Sequence, residues 1–208
     1  MPGYDAGMLG TTLDASAYID RLRAELARID TAAVERWADV VFDVWSRGST
    51  LYLIGNGGSA AAASHLSVDL GKGTVAADSL RDESHARLRV VSLTDNVPWI
   101  TAVANDLDYE QVFVQQLMSS AVSGDALMAF SGSGNSPNVL AAVDWANRHD
   151  LRTFGLTGFG GGRLKELQQD GVHVDLDDMG MVESVHVCLF HWVVDDLYAR
   201  TQKTGRHA

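Results

Sequence analysis

The stretch LYLIGNGGSAAAASHLSVDL, residues 51–70, contains the pattern on which the predicted fold depends. Four apolar residues predict a short buried strand over 51–54, a glycine-rich turn follows, and the alanine-rich sequence after it favours a helix. Glycines in such a turn permit positive φ and close approach of the backbone, and the N-terminus of the next helix favours an anion. The turn matches neither GxGxxG nor GxxxxGK[ST], so nucleotide binding is poorly supported. Taken alone, it is equally compatible with a plain strand–helix connection.

The same order of strand, small-residue loop and helix recurs along the rest of the chain. Further apolar runs cover residues 88–93, 126–130, 153–156 and 172–176, and the first three of these end in the loops TDN, SGSGNS and TGFGGG. This alternation predicts the α/β class, with a five-stranded parallel sheet as the middle layer of a three-layer αβα sandwich. Right-handed crossovers then bring the loops together at the carboxyl edge of the sheet, where open α/β folds bind ligands.

Helices are predicted at both ends of the chain. Apolar residues at three- and four-residue steps indicate two helices within 12–47, with Asp30-Thr31 as the cap of the second and Gly48 as its end. The first of these stripes consists of Ile19, Leu22, Leu26 and Ile29. The last helix, about Gly180 to Arg200, is apolar on most sides and is expected to be buried or at a subunit contact. We expect one domain over 1–208, divided into a helical arm (12–47), an αβα core (48–200) and a tail (201–208).

Composition and charge limit the classes of function. The chain has 208 residues, of which 46% are hydrophobic and 21% charged, and its net charge is -11. Such a surface repels a phosphodiester backbone, so we expect no nucleic-acid partner, whereas backbone N–H groups and hydroxyls can still hold a small anion. No apolar run approaches the ~20 residues of a membrane span, and residues 1–14 predict no secretion signal. The single Cys188 excludes an internal disulfide, so we expect a cytoplasmic protein.

A second loop predicts phosphate binding. Ser131-Gly132-Ser133-Gly134-Asn135-Ser136-Pro137 follows a strand and begins a helix, and proline suits the first helical position. Serine hydroxyls and backbone N–H groups can bind phosphate oxygens without adding positive charge. A serine-rich linker is the alternative, but a linker would not lie between a buried strand and a helix. We therefore predict a phosphate cradle suited to a sugar phosphate.

Four polar residues stand out on otherwise apolar helices. His65 and Asp69 are four residues apart and share one helical face. Glu183 and His191 are eight apart on the last helix and point within roughly 80° of each other, with His186 between them. Two imidazoles and two carboxylates could bind a divalent metal such as zinc, or divide acid and base work between them. For any one of these histidines considered singly, a satisfied core position is the commoner explanation.

Together the loops and helix residues resemble the sugar isomerase (SIS) domain family, and within it the phosphoheptose isomerases. The matching segments are GNGGSAAAASHLSVDL, SLTDN, TAVANDLDYEQVF, FSGSGNSPNVLAAV, FGLTGFGGG and VESVHVCLFH. They follow the family order and cover nearly everything after residue 48. The resemblance implies a SIS-type three-layer αβα sandwich with a flavodoxin-like five-stranded parallel sheet and N-terminal helices.

The resemblance also implies a reaction and a set of site residues. Family members isomerise a ketose phosphate to an aldose phosphate through an enediol, here sedoheptulose 7-phosphate to a D-glycero-D-heptose 7-phosphate of manno or altro configuration. The implied catalytic residues are Asp69, Glu183 and His191, and the implied metal ligands, for one divalent ion such as zinc, are His65, Asp69, Glu183 and His191. The implied substrate-binding residues are Asn56, Gly57, Gly58, Ser59, Asp95, Ser131, Ser133, Asn135 and Ser136, with the serines on the phosphate and Asn56 and Asp95 near the sugar chain. A homotetramer with sites between subunits is also implied.

This chain departs from the family pattern at three positions. Asp69 replaces a glutamate, so its carboxylate lies about 1.5 Å farther back for the same backbone, and a misplacement of that size can cost about 10²-fold in rate. Glu183 replaces a glutamine, and Gly180 replaces an aspartate just before the last helix. Our hypothesis is that Glu183 takes over the role of the base, or that the changed ligand set binds metal more strongly.

Two other classes of function compete with the isomerase. One is a non-catalytic tetrameric SIS adaptor, for example a replication-initiator-binding protein, which keeps the loops but lacks a counterpart of His191. The other is a phosphosugar sensor of the kind found in transcription regulators, although no DNA-binding module or basic surface accompanies the domain here. Because His65, Asp69, Glu183 and His191 are all retained, the sequence favours the enzyme.

Overall fold

The computed structural model describes residues 8–207, except for the side chain of Arg206. Residues 1–7, part of the segment in which no secretion signal is predicted, and residue 208 of the predicted tail lie outside the described residues. Within the described range, no helix is both long and apolar enough to cross a membrane.

Five parallel strands form the central sheet, as predicted, although the fifth strand spans residues 170–173 and not the predicted 172–176. They are β1 (Thr50–Ile54), β2 (Arg89–Ser92), β3 (Ala126–Ser131), β4 (Arg152–Thr157) and β5 (Asp170–His173). Their order across the sheet is β2-β1-β3-β4-β5, which is the flavodoxin-like order. In the register, Leu51 lies opposite Ala126 and Ala126 opposite Arg152, so the carboxyl ends of the three central strands lie close together.

Eight α-helices surround the sheet in the described residues. They are α1 (Ala15–Ala27), α2 (Thr31–Arg47), α3 (Gly58–Val68), α4 (Val97–Asp106), α5 (Val114–Ser120), α6 (Pro137–Arg148), α7 (Gly162–Leu167) and α8 (Met179–Gln202). The predicted caps of α2 are confirmed, because Asp30 accepts a hydrogen bond from the N–H of Ala32 and Gly48 ends the helix at φ 65°. Helix α8 continues two residues beyond the predicted end of the core, into the segment assigned to the tail.

The helices cover both faces of the sheet, which confirms the three-layer sandwich. On one face, α2, α3 and α8 pack on the sheet, and Trp37 is fully buried with its ring stacked on Phe154 at 5.8 Å. On the other face, α5, α6 and α7 form a second apolar cluster with the alternate residues of β1 and β3. Helix α1 packs through Tyr18 and Leu22 on the start of α8, whereas Ile19 of the predicted stripe is 64% exposed.

The sheet order determines where the site residues come together. The chain moves outward from β1 to β2 and then returns past β1 to β3, so the connections leave β1 and β3 in opposite directions. Parallel sheets of this kind bind ligands in the crevice at this switch point. The glycine-rich loop follows β1 and the serine-rich loop follows β3, so both predicted binding loops lie at the crevice.

Candidate active site

The serine loop after β3 has the geometry of an anion cradle. The Ser131 hydroxyl accepts the N–H of Gly134 at 3.2 Å, and the Ser133 hydroxyl accepts the N–H of Asn135 at 3.3 Å. A hydroxyl that accepts in this way keeps its own hydrogen for a bond to a ligand. Ser136 occupies the N-cap position of α6, and its hydroxyl caps none of the described N–H groups. These three predicted serines therefore surround the start of a 12-residue helix, where anions are favoured.

The loop between β4 and α7, together with the first turn of α7, is hydrogen-bonded to the backbone of the serine loop. The N–H of Gly158 donates to the carbonyl of Gly132 at 2.8 Å, and the N–H of Leu164 donates to the carbonyl of Gly134 at 2.9 Å. Asn135 joins the same contact, because its Oδ1 accepts the N–H of Arg163 at 3.1 Å. The side-chain oxygen of Asn135, a predicted substrate ligand, is thus used to tie two loops together.

The glycine-rich loop after β1 begins α3 and contacts a carboxylate. Gly57 occupies the N-cap position at φ 57°, and Ser59 is buried in the first turn. The Glu183 carboxylate lies directly over Gly58, so close that a Cβ at position 58 would be 2.3 Å from Oε2. Asn56 is engaged by Asn138, with which its amide exchanges two hydrogen bonds of 2.9 Å.

Three of the four predicted metal ligands form one cluster. The His65 Nε2 lies 3.2 Å from Asp69 Oδ2, and the His191 Nε2 lies 3.7 Å from the same oxygen. The three ligand atoms lie within 4.8 Å of one another. Phe190 supports both imidazoles, with ring centroids 5.0 Å from His65 and 4.4 Å from His191. The site forms because α3, which carries His65 and leads directly into Asp69, packs against α8, which carries His191.

The donor chemistry of this cluster fits a divalent metal. Two imidazole nitrogens and one carboxylate oxygen make the three-ligand set of catalytic zinc sites, in which a fourth position stays open to water or substrate. All three side chains are partly exposed, so that position is accessible to solvent. Among the histidine, cysteine and acidic side chains of residues 8–207, these three lie close enough together to share one ion.

Glu183 lies outside the cluster, so the expected four-residue constellation is divided. Its eight-residue separation from His191 is about 12 Å along the axis of α8, which is why the two side chains approach different parts of α3. His191 reaches the end of α3, whereas Glu183 lies at its beginning, over Gly58. Burial raises the pKa of the Glu183 carboxyl above its ordinary value.

His186 has a structural position between these two residues. It is 1% exposed, and its Nε2 lies 3.3 Å from the carbonyl oxygen of Thr157. Burial lowers the pKa of His186 to about 4, so the ring is neutral at physiological pH. A histidine on an apolar helix is expected to be a buried core residue with a hydrogen-bond partner. His186 fits that expectation, whereas His65 and His191 are about half exposed and do not.

Asp95 lies after β2 and is bound by a hydroxyl that the sequence analysis did not select. The Ser64 hydroxyl donates to Asp95 Oδ1 at 2.5 Å and also contacts the Thr94 hydroxyl at 3.0 Å. These bonds link α3 to the β2 loop next to His65. Ser64 could have been noticed as a polar residue in an alanine-rich helix, but its partner is visible only in three dimensions.

Comparison with known proteins agrees with the fold. Residues 17–158 match the family model of the SIS domain. The chain is 35% identical over 187 residues to a phosphoheptose isomerase of Chlorobium phaeobacteroides, covering 88% of this chain and 79% of that protein. It is 31% identical over 181 residues to a probable phosphoheptose isomerase of Thermoplasma acidophilum, covering 87% and 96%. The solved phosphoheptose isomerase of Neisseria gonorrhoeae superimposes with a TM-score of 0.78 at 26% identity, covering 88% of this chain and 95% of that one. The chain therefore belongs to the SIS domain family, in which it groups with the phosphoheptose isomerases.

Proposed function

We propose that this chain is an aldose–ketose isomerase that converts sedoheptulose 7-phosphate into a D-glycero-D-heptose 7-phosphate, manno or altro. The observation that carries the proposal is the course of α8 along the crevice. Its first turns pack on the serine loop, where a Cβ at Gly132 would lie 2.4 Å from the Met179 sulfur. Its fourth turn brings His191 to His65 and Asp69. One helix thus connects a candidate phosphate cradle to a cluster of acid–base and metal-binding side chains. This separation of the two suits the open-chain form of a sugar phosphate, which has its phosphate at one end and its carbonyl group near the other.

The reaction requires two proton movements that these side chains can perform. A carboxylate accepts the proton from C1 of the ketose and returns it to C2, while the hydroxyl proton on O1 moves to O2. In the site without metal, His191 is proposed to carry the hydroxyl proton, because an imidazole nitrogen with a free lone pair can both accept and donate a proton, and metal binding through that nitrogen is the alternative role. A divalent metal, proposed to be zinc, held by His65, Asp69 and His191 would polarise the substrate oxygens when bound.

Glu183 is the carboxylate that we assign to the carbon-bound proton. Of its two hypothetical roles, base and metal ligand, its separation from the three-residue cluster argues against the ligand role. The base role requires C1 and C2 of the bound sugar to lie between Glu183, over Gly58, and His191. A raised pKa also brings the carboxyl nearer to the working pH of a general base. Asp69 is then the carboxylate of the metal set, in contact with both imidazoles.

The adaptor and sensor alternatives are not favoured. Either would need the cradle alone, whereas the described chain also brings His65, Asp69 and His191 together. A binding protein has no evident use for an exposed three-ligand cluster at the end of its sugar crevice. The relatives from Chlorobium phaeobacteroides and Thermoplasma acidophilum, at 35% and 31% identity, carry the name of an isomerase.

A homotetramer in the cytoplasm, with sites completed between subunits, is proposed for the assembly. Within the described chain, every residue of α4 is at least partly exposed although six of the ten are apolar. Val97 is 60% exposed and Leu107, just after the helix, 58%. Exposed apolar residues clustered in this way are typical of subunit contacts. Light scattering after size-exclusion chromatography tests this, and a monomer would contradict it.

The decisive experiment is NMR of the purified protein with sedoheptulose 7-phosphate, with added zinc and with a chelator. We expect an aldose-phosphate anomeric signal whose couplings give the configuration at C2. Loss of conversion with chelator and its return with zinc would support the metal. Sugar-phosphate binding by a folded protein that converts nothing under any condition would instead favour the sensor or adaptor.

A further inference from the structure

Asn138 is a buried polar residue at the junction of the two binding loops, and sequence reasoning did not select it. It lies in the first turn of α6 and is 2% exposed. Its side chain faces that of Asn56, which follows β1 on the neighbouring strand. Asn56 Nδ2 donates to Asn138 Oδ1 at 2.9 Å, and Asn138 Nδ2 donates to Asn56 Oδ1 at 2.9 Å. This reciprocal pair joins the glycine-rich loop to the helix that begins at the serine loop.

The backbone determines which way both amides face. The N–H of Val139 donates to Asn138 Oδ1 at 3.0 Å, so the oxygen of Asn138 must lie on that side. If the Asn138 amide were reversed, two donors would face each other. Because Asn138 is held in this orientation, its N–H group must face Asn56, and Asn56 must present its oxygen there. The Tyr109 hydroxyl donates to the same Asn56 oxygen at 3.0 Å and strengthens this preference.

This orientation has a chemical consequence for the crevice. An amide nitrogen carries two hydrogens, and the pair uses one of those on Asn56. The Asn56 oxygen is occupied by two donors, so the group that Asn56 retains for a ligand is a donor, the second N–H. A donor attracts the phosphate and hydroxyl oxygens of a sugar phosphate, whereas a reversed amide would offer a carbonyl oxygen and repel the phosphate.

We propose that Asn138 is a positioning residue that holds the Asn56 amide with its free N–H available to the sugar phosphate, with Tyr109 as an auxiliary donor. The inference rests on the proposed function, because it takes a sugar phosphate as the ligand. Asn138 itself contacts only protein groups in this scheme, so it acts on the ligand through Asn56.

The test compares Asn138→Leu with a matched change on the same helix. Asn147 also has a side-chain amide bound only by protein groups, but it lies at the far end of α6. Its oxygen accepts from Thr153 Oγ1 at 2.8 Å and from Gln169 Nε2 at 3.2 Å, and its nitrogen donates to the Leu167 carbonyl at 2.9 Å. Titration calorimetry with sedoheptulose 7-phosphate should give a dissociation constant about 10-fold higher for Asn138→Leu, the effect of one hydrogen bond to a charged ligand. Asn147→Leu should lower the melting temperature and leave the dissociation constant within twofold of the wild type.

Two further variants keep the test decisive. Asn138→Asp retains the acceptor for Val139 and suits the start of a helix, so it should remain folded while losing the donor to Asn56. Tyr109→Phe should raise the dissociation constant by a smaller factor, about twofold to fivefold. If Asn138→Leu or, should that variant not fold, Asn138→Asp binds like the wild type, the positioning role is overturned. A wild-type protein that binds the sugar phosphate without converting it would remove the isomerase proposal alone.

Discussion

Asp69 contacts both imidazoles of the candidate metal cluster through a single carboxylate oxygen. The sequence comparison suggested that an aspartate would be one methylene too short for this task. In the folded chain the oxygen already lies 3.2 Å from His65 Nε2 and 3.7 Å from His191 Nε2. The backbone position therefore suits the shorter side chain, and it follows directly on α3 where the helix changes to a π-helical turn. Such turns are frequent at functional sites.

Changing either the charge or the length of the Asp69 side chain should impair activity. We expect Asp69→Asn to lose bound metal and to lower kcat/KM by at least about 10²-fold, because a neutral amide is a poor metal ligand. Asp69→Glu should also lower kcat/KM, since the longer side chain overshoots the shared position. Metal analysis and steady-state kinetics measure both effects, with Asp144→Asn, an exposed change on α6, as the control. Improved turnover in Asp69→Glu would contradict the fit described above.

The Glu183→Gln variant separates the two roles considered for that carboxylate. If Glu183 is the base, metal content should stay unchanged and kcat should fall by about 10²- to 10⁴-fold. Burial raises the pKa of Glu183, and only the deprotonated form accepts a proton, so wild-type kcat/KM should rise with pH through that pKa. This acid limb should disappear in any residual activity of the variant. Loss of metal would show a ligand role instead, and near wild-type activity and metal content would exclude both.

At the scale of elements, the serine loop depends on close backbone contact with the start of α7. A Cβ at Gly162 would lie 2.5 Å from the carbonyl oxygen of Ser133, and Gly162 has φ 54°. Gly160, in the same loop, has open space around its Cβ direction. The two glycines therefore provide a matched pair.

Gly162→Ala should distort the phosphate cradle, whereas Gly160→Ala should not. We expect Gly162→Ala to lower the free energy of unfolding by about 1–3 kcal/mol, because of positive φ and contact with backbone, and to weaken phosphate binding. Gly160→Ala should stay within about 1 kcal/mol of the wild type. Urea unfolding and calorimetry with inorganic phosphate measure the two quantities. Equal behaviour of the two variants would contradict the assigned contact.

At the scale of the whole molecule, the buried His186 links stability to pH. Burial lowers its pKa to about 4 in the folded chain, whereas the unfolded value is near 6.5. The unfolded chain therefore binds more protons between these values, and stability falls as the pH falls from about 6.5 to 4. His173 has a pKa lowered mainly by burial and acts in the same direction.

Replacing His186 should make the fold less sensitive to acid. Between pH 7 and pH 5 the single histidine accounts for about 2 kcal/mol of lost stability. His186→Gln should remove that part of the pH dependence, even if it lowers stability at pH 7. Urea unfolding at the two pH values gives the difference, with the exposed His149→Gln as the control. An unchanged pH dependence in His186→Gln would contradict the buried neutral ring.

The sequence by itself determined the features that depend on near neighbours along the chain. The strands, the helices, the caps of α2 and the positions of the glycine-rich and serine-rich loops follow from periodicity, glycine, serine and proline, and these predictions are confirmed. Phosphate binding by the two loops stays a prediction. The tertiary structure decided which side chains meet. It brought Asp69 to His191, separated Glu183 from both, and paired Asn56 with Asn138. The physical reason is that periodicity gives the face of a helix, whereas contacts between elements depend on how each helix is rotated and shifted on the sheet by the packing of the core. Because Glu183 and His191 are eight residues apart on α8, that shift decides whether Glu183 joins Asp69 in one cluster or lies at the other end of α3.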